Sequence, residues 1–572
     1  RVASSSFVSA HFLVALLLCV VALPQEGWAQ RKSPRRDLQN RWEFMPDIGA
    51  DFTPQIDSDE RPTLEVSAIR APDLQTRIYA MQRVVQDSAR EPENREELFA
   101  AVVEQLQSDV QTLDNRQAIL ATTSAARTLA NSKAEIEQVY NLVKSKSFAA
   151  KAIELDLVRL ESGLARDAWR ERLKAKKANL GELLTAIDGI AITGDSSDRA
   201  SLESLLMSES TLLPIQLATS KALGQCVSEG LESFADSLLD SNRPEASLLA
   251  TNVLQTHSSP DALQLMEKVL LGNNAQAQVT AFKTIVRANF GRGKELAKQY
   301  IKHPDGNMRY AAVQVLNQDN DEESVNTQAL ALDDTNLNVR TKVRNNLIGK
   351  ARVKELQPLI DGIITHYLGG EKWEGIEQAI NLSVALKQNK RAPQLVELLD
   401  HPRPEIFVRA AWGLHMMRLQ PETLDSIYAV AKQWADKIGR FEAIEFDREI
   451  TIGFLFQALG VHRYEPASEM LLKFVPKDRR MRDMTRTAAI YALGLIWANQ
   501  EKPALVQQLI GRIRDDGLDA DLGTVRYVAA VSLGLVGNES NLGTLEYASY
   551  PEPDPIGKAA RWAAGYIESK RK

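Results

Sequence analysis

One phrase recurs along this chain and limits what it can fold into. It reads "VRYVAAVSLGLVGNES" at residues 525–540, "TRTAAIYALGLIWANQE" at 485–501 and "QLATSKALGQCVSEG" at 216–230. Small residues come first, then Leu, often Gly, then a polar turn. The closing apolar residue falls at Ile192, Leu223, Leu254, Ile285, Leu316 and Leu347, each 31 residues after the last. Leu160 and Leu129 continue the series backward within one residue. A fixed period of this size belongs to a solenoid. Thirty-one residues hold two helices of about three turns and two short turns. One such hairpin cannot bury its apolar face alone, so hairpins must stack and share a core.

The helical period supports this from Asp73 onward. "LQTRIYAMQRVV", "REELFAAVVEQL" and "RQAILATTSAARTL" place apolar residues at i, i+3/i+4 and i+7. No alternating strand pattern competes. After Leu347 the phrase returns near Leu386, Leu414, Leu459, Leu493, Leu533 and Ile567, with uneven spacing. The expected architecture is all-α: a right-handed solenoid of stacked antiparallel helix pairs, regular over 73–350 and longer and irregular over 351–572. The paired alanines at 311–312, 410–411, 488–489 and 529–530 let helices approach closely. Gly224, Gly460, Gly494 and Gly534 follow the Leu, where small size and backbone freedom favour a helix end.

Composition agrees. Of 572 residues, 44% are hydrophobic and only 6% aromatic, so Ala, Leu and Val carry the core and favour close helix packing. A net charge of −6 gives no general attraction to nucleic acid or anionic lipid.

"FLVALLLCVVAL" at 12–23 reads as the apolar core of a signal peptide over 1–29, with cleavage before Gln30. An uncleaved anchor is the alternative, since "RKSPRR" follows directly. After cleavage Cys226 is the one remaining thiol, read as structural. Residues 30–72 carry five prolines and no helical period, and read as an extended linker or tail. Its "RWEFMPDIGADF" is either a docking motif or part of a tether.

"VRYVAAVSLGLVG", "NMRYAAVQVLN" and "FVRAAWGL" resemble the second helix of HEAT repeats, and the 31-residue period resembles the short HEAT-like repeats of the phycobilisome lyase family. The resemblance covers roughly residues 110–570. It implies a binding scaffold rather than a named activity. It also implies an Asp/Arg ladder between repeats, carried by Arg309, Arg340, Arg409, Arg486 and Arg526 with Asp305, Asp334, Asp483 and Asp521.

Signals for chemistry are weak. "DDGLDADLGT" lacks the Gly and Glu of an EF-hand at the required positions. "QDNDEES" precedes a helix, where carboxylates cap. His303 and His401 open "HP" turns at matching places in their repeats, which points to turn chemistry rather than metal. There is no HExxH, CxxC, phosphate loop or GxSxG. The basic run "PKDRRMRDMTR" reads as a solvated loop.

The expected function is therefore an exported scaffold that binds a protein or peptide on its concave face, without catalysis, cofactor, metal, nucleic acid or stable membrane insertion. A lyase-like or hydrolase site in the irregular half is one alternative, and a structural role in the cell envelope is another. Specific recognition needs a surface unlike its neighbours, and the irregular half holds Trp373, Trp412, Trp434, Trp497 and Trp562. The candidate partner-binding residues are Arg409, Trp412, His415, Arg486, Tyr491, Arg526 and Tyr527.

Overall fold

The computed structural model describes residues 66–570, apart from 88–93, 113–114, 176–178, 550–554 and the single positions 209, 242, 441, 479, 501 and 518. The expected leader, and most of the expected linker, lie outside the described residues. The last part of that linker contains a short helix, Val66–Ile69, with Ile69 buried. Every regular element among the described residues is helical. No helix among them is long and apolar enough to cross a membrane.

The chain divides into two compact units, Gln55–Ala331 and Leu332–Lys572. The change of unit falls before residue 350, where the sequence period loosens.

In the first unit, the second helices from Leu180–Thr193 through Leu213–Cys226, Ala246–Leu254 and Ala275–Ala288 to Gly306–Leu316 each pack on the next. Side chains cap the starts of many helices in this unit. Asn115, Ser132, Asn179, Ser259 and Asn274 each accept a bond from a backbone N–H in the first helical turn. Asp305 does the same for Asn307 and Met308, and Asp321 for Ser324. The "QDNDEES" acids therefore serve a helix start, as the sequence suggested.

The second unit has its own column of second helices: α1 (Leu337–Lys350), α2 (Trp373–Ala385), α3 (Pro404–Met416), α4 (Phe446–Val461), α5 (Asp483–Ile496), α6 (Gly523–Val536) and α7 (Pro555–Ser569). Each packs on the next, and from α2 onward each also packs on the first helix of its own pair. Here Pro at the first or second position takes over at several helix starts, including Pro404, Pro421 and Pro503.

The apolar register holds at Leu223, Leu254, Ile285, Leu316 and Leu347, all at most 1% exposed. It fails at Ile192, which is 47% exposed; Ile190 takes the buried place instead. Leu160 and Leu386 are only half-buried, and Leu157 and Leu382 go inside. Each misassigned residue lies two to four positions beyond the one that enters the core.

Gly224, Gly460, Gly494 and Gly534 lie in the last turn of their helices, near the helix end as expected, but none has a positive φ. A Cβ on Gly460 would stand 2.5 Å from Ala492 Cα, and one on Gly494 would stand 2.8 Å from Ser532 Oγ. On Gly534 it would meet Ala563 Cα at 2.8 Å. Small size is what these positions need, because the next second helix passes directly against them; backbone freedom is not used.

Candidate functional site

The recurring arginines sit early in their second helices, and three of them fold back on preceding backbone carbonyls. Arg309 Nη1 donates to the carbonyls of His303 and Pro304, and Arg340 Nη1 to those of Asp334 and Thr335. Arg526 donates to the Ile513 carbonyl. The repeat-locked histidines belong to the same turns: His303 Nδ1 accepts from the Asp305 N–H and His401 Nδ1 from the Arg403 N–H.

Arg486 and Asp521 form a rung between repeats. The guanidinium donates twice to the carboxylate, at 2.7 and 2.8 Å, with the side chains 1% and 3% exposed. Arg512 and the Leu522 N–H also donate to Asp521. Burial would raise the Asp521 pKa, but these bonds overcome it and leave the group below the usual range. The acids preceding the arginines have separate jobs. Asp305 caps its own helix, whereas Asp521 serves the arginine of the repeat before it.

The candidate binding residues therefore separate. Arg486 is inside the stack, and Tyr527 is 7% exposed. Tyr491 is half-buried, with its hydroxyl pushed up by desolvation. His415 stacks obliquely near Phe454, its Nδ1 without a hydrogen-bond partner. Burial, with a smaller effect from His462, pushes its pKa down to about 4.

Arg409 and Trp412 do meet. The Arg409 guanidinium lies 5.0 Å from the Trp412 ring centroid, and its Nη2 lies 3.7 Å from Glu377 on α2. Glu377, 4% exposed, also faces Arg340 at 3.9 Å, and its charge is felt by Arg344. Arg344 Nη1 donates to Gln378 at 3.0 Å. Arg340 and Arg403 both reach the Trp373 ring, at 5.4 and 5.8 Å. Four arginines, one carboxylate and two tryptophans thus form a continuous group across α1, α2 and the start of α3. Sequence reasoning missed Arg344 and Glu377. The one local signal was an acid directly after Ile376 in the helical stretch "EGIEQAINL".

Of the five tryptophans in this unit, Trp497 is buried and Trp373, Trp412, Trp434 and Trp562 are half-buried. A pocket of about 450 Å³ opens beside Asp361 and Lys390. Its carboxylate is already occupied by Arg391 at 2.7 Å and Lys390 at 3.1 Å. Among the described residues, no three metal-binding side chains converge.

Glu449 on α4 is the most perturbed acid of the column. Burial pushes its pKa up to about 7, against the attraction of Arg482 at 3.3 Å. A raised carboxylate pKa means that the fold holds the proton more tightly than the unfolded chain does. Stability from this group is therefore present below pH 4.5 and is lost as pH rises through about 7. The Glu449→Gln variant should lose that decline. Urea midpoints at pH 5 and pH 7.5 should lie closer together in the variant than in the wild type. An unchanged gap would assign the decline to other groups.

These stacked pairs, with Arg early in the second helix and small residues facing the next repeat, decide the repeat type. The repeats are HEAT-like. No protein-family model matches the chain, and no curated protein matches it. Among solved structures, Kap121p aligns at 12% identity over 88% of this chain and 56% of its own, with a TM-score of 0.47. Yeast importin-beta (Kap95p) aligns at 12% identity over 88% of this chain and 71% of its own, with a TM-score of 0.45. The chain spans a little over half the length of Kap121p.

Proposed function

We propose that this chain is an exported HEAT-like scaffold that holds a protein or peptide partner on the second helices of the 332–572 unit. The observation that carries the reading is Trp412, half-buried and flanked by Arg409, in a group that also holds Trp373 under Arg340 and Arg403. Trp and Arg in partly desolvated positions are the side chains that dominate protein interfaces. His415, Tyr491 and Arg526 extend the surface. Arg486 and Tyr527 support it from inside. The apolar run at residues 12–23 supports export.

The test is crosslinking in the native cell, fractionation, and titration of the recovered partner against purified variants. Trp412→Ala should weaken the complex by about 2 kcal/mol, roughly thirtyfold, with little change in melting temperature. Leu271→Ala, at an 88% exposed position of the other unit, should leave it intact. Retention by Trp412→Ala together with loss by Leu271→Ala would place the site elsewhere. Recovery of the protein in the cytosolic fraction alone would overturn export.

A further inference from the structure

Arg340 and Arg409 both face Glu377 on α2, at 3.9 and 3.7 Å, and Glu377 is 4% exposed. Arg340 is also withdrawn, 5% exposed and held by two backbone carbonyls. Arg344 is different. It is half-buried, and its polar contacts are the neutral side chains of Gln378 and Asn345. Desolvation depresses its pKa against the attraction of Glu377, and the repulsion of Arg409 and Arg340 adds to the fall. Arg403, exposed at the start of α3, brings a further positive charge over Trp373. Positive charge held together in a partly desolvated place is costly unless an anion completes it.

The geometry points to an acidic peptide segment as the occupant: a carboxylate of the partner pairs with Arg344, and an aromatic or aliphatic neighbour packs between Trp373 and Trp412. Guanidinium groups suit this role because they bind carboxylates through two parallel hydrogen bonds. The tryptophans on either side give the apolar contact that charge alone does not supply. Charge complementarity selects against a basic segment, which would face several arginines at once. This inference rests on the partner-binding reading and names the chemistry of the partner.

The experiment uses the full chain and a fluorescein-labelled peptide of alternating Glu and Phe, with its Lys and Phe counterpart as control, followed by fluorescence anisotropy. The acidic peptide should bind saturably, and the basic one should not. Arg344→Ala should weaken binding about tenfold or more, as expected for a charged pair at an interface. Arg403→Ala, at an exposed position, should weaken it severalfold with the helical circular dichroism unchanged. Raising the salt concentration should weaken binding to wild type more than to Arg344→Ala. Equal binding of the two peptides would overturn the inference, as would unchanged affinity in both variants. If the crosslinked partner is lost on Trp412→Ala but held fully by Arg344→Ala and Arg403→Ala, the acidic chemistry is wrong and the binding site stands. If the acidic peptide binds through Arg344 while no partner depends on Trp412, the site takes acidic segments and the proposed scaffold role falls.

Discussion

Replacing Asp521 with Ala should destabilise the 332–572 unit by about 3–5 kcal/mol, the cost of leaving one member of a buried ion pair alone. Arg486 is 1% exposed and makes both of its short bonds to this one carboxylate. Its remaining contact, to the Phe474 carbonyl, is long at 3.4 Å. The guanidinium cannot reach water without parting α5 from the turn before α6. The carboxylate also receives the Leu522 N–H, so its removal frees the backbone at the entry to α6. The double variant Arg486→Met/Asp521→Leu removes both charges and should recover most of the loss, because apolar replacement of a whole buried pair is often nearly neutral. Urea denaturation followed by circular dichroism measures both variants. A loss below about 1 kcal/mol in the single variant would fall within the range of ordinary surface changes and would contradict the buried pair.

The sequence carried the positions of these residues but not their partners. The arginines were visible as a series because they recur at one place in the repeat. Arg486 and Asp521, however, are 35 residues apart, and the carboxylate belongs to the next pair of helices. A nearer acid, Asp483, was equally available on paper; it accepts from Thr524 instead. The apolar series was legible for the same reason of period, and it failed where two apolar residues compete for one position. In "GIAIT" both Ile190 and Ile192 fit a helical spacing, and only packing chose Ile190. The cluster around Glu377 left little trace, because charged residues on helices usually face solvent. Three arginines from α1 and α3 acquire meaning only when those helices are brought against α2.

Adding one methyl group at Gly460 should cost stability even though the exchange favours the helix. Ala is preferred over Gly in a helix interior by about 1 kcal/mol. At Gly362, exposed and with nothing within 4 Å of an added Cβ, that preference acts alone. Gly362→Ala should therefore stabilise the protein by about 0.5–1 kcal/mol. At Gly460 the same Cβ would stand 2.5 Å from Ala492 Cα and 2.8 Å from its Cβ. The obstacle is backbone and methyl, so no side chain can swing away. The α4–α5 contact has to open, and overpacking of this kind costs about 1–3 kcal/mol. Gly460→Val should cost more, since a branched side chain meets the same wall. Because Gly494 faces Ser532 and Gly534 faces Ala563 in the same manner, the seam passes from α4 through α5 and α6 to α7. Paired urea melts of Gly362→Ala and Gly460→Ala should move in opposite directions. If both variants gain stability, the second helices stand farther apart than the close approach at Gly460 requires.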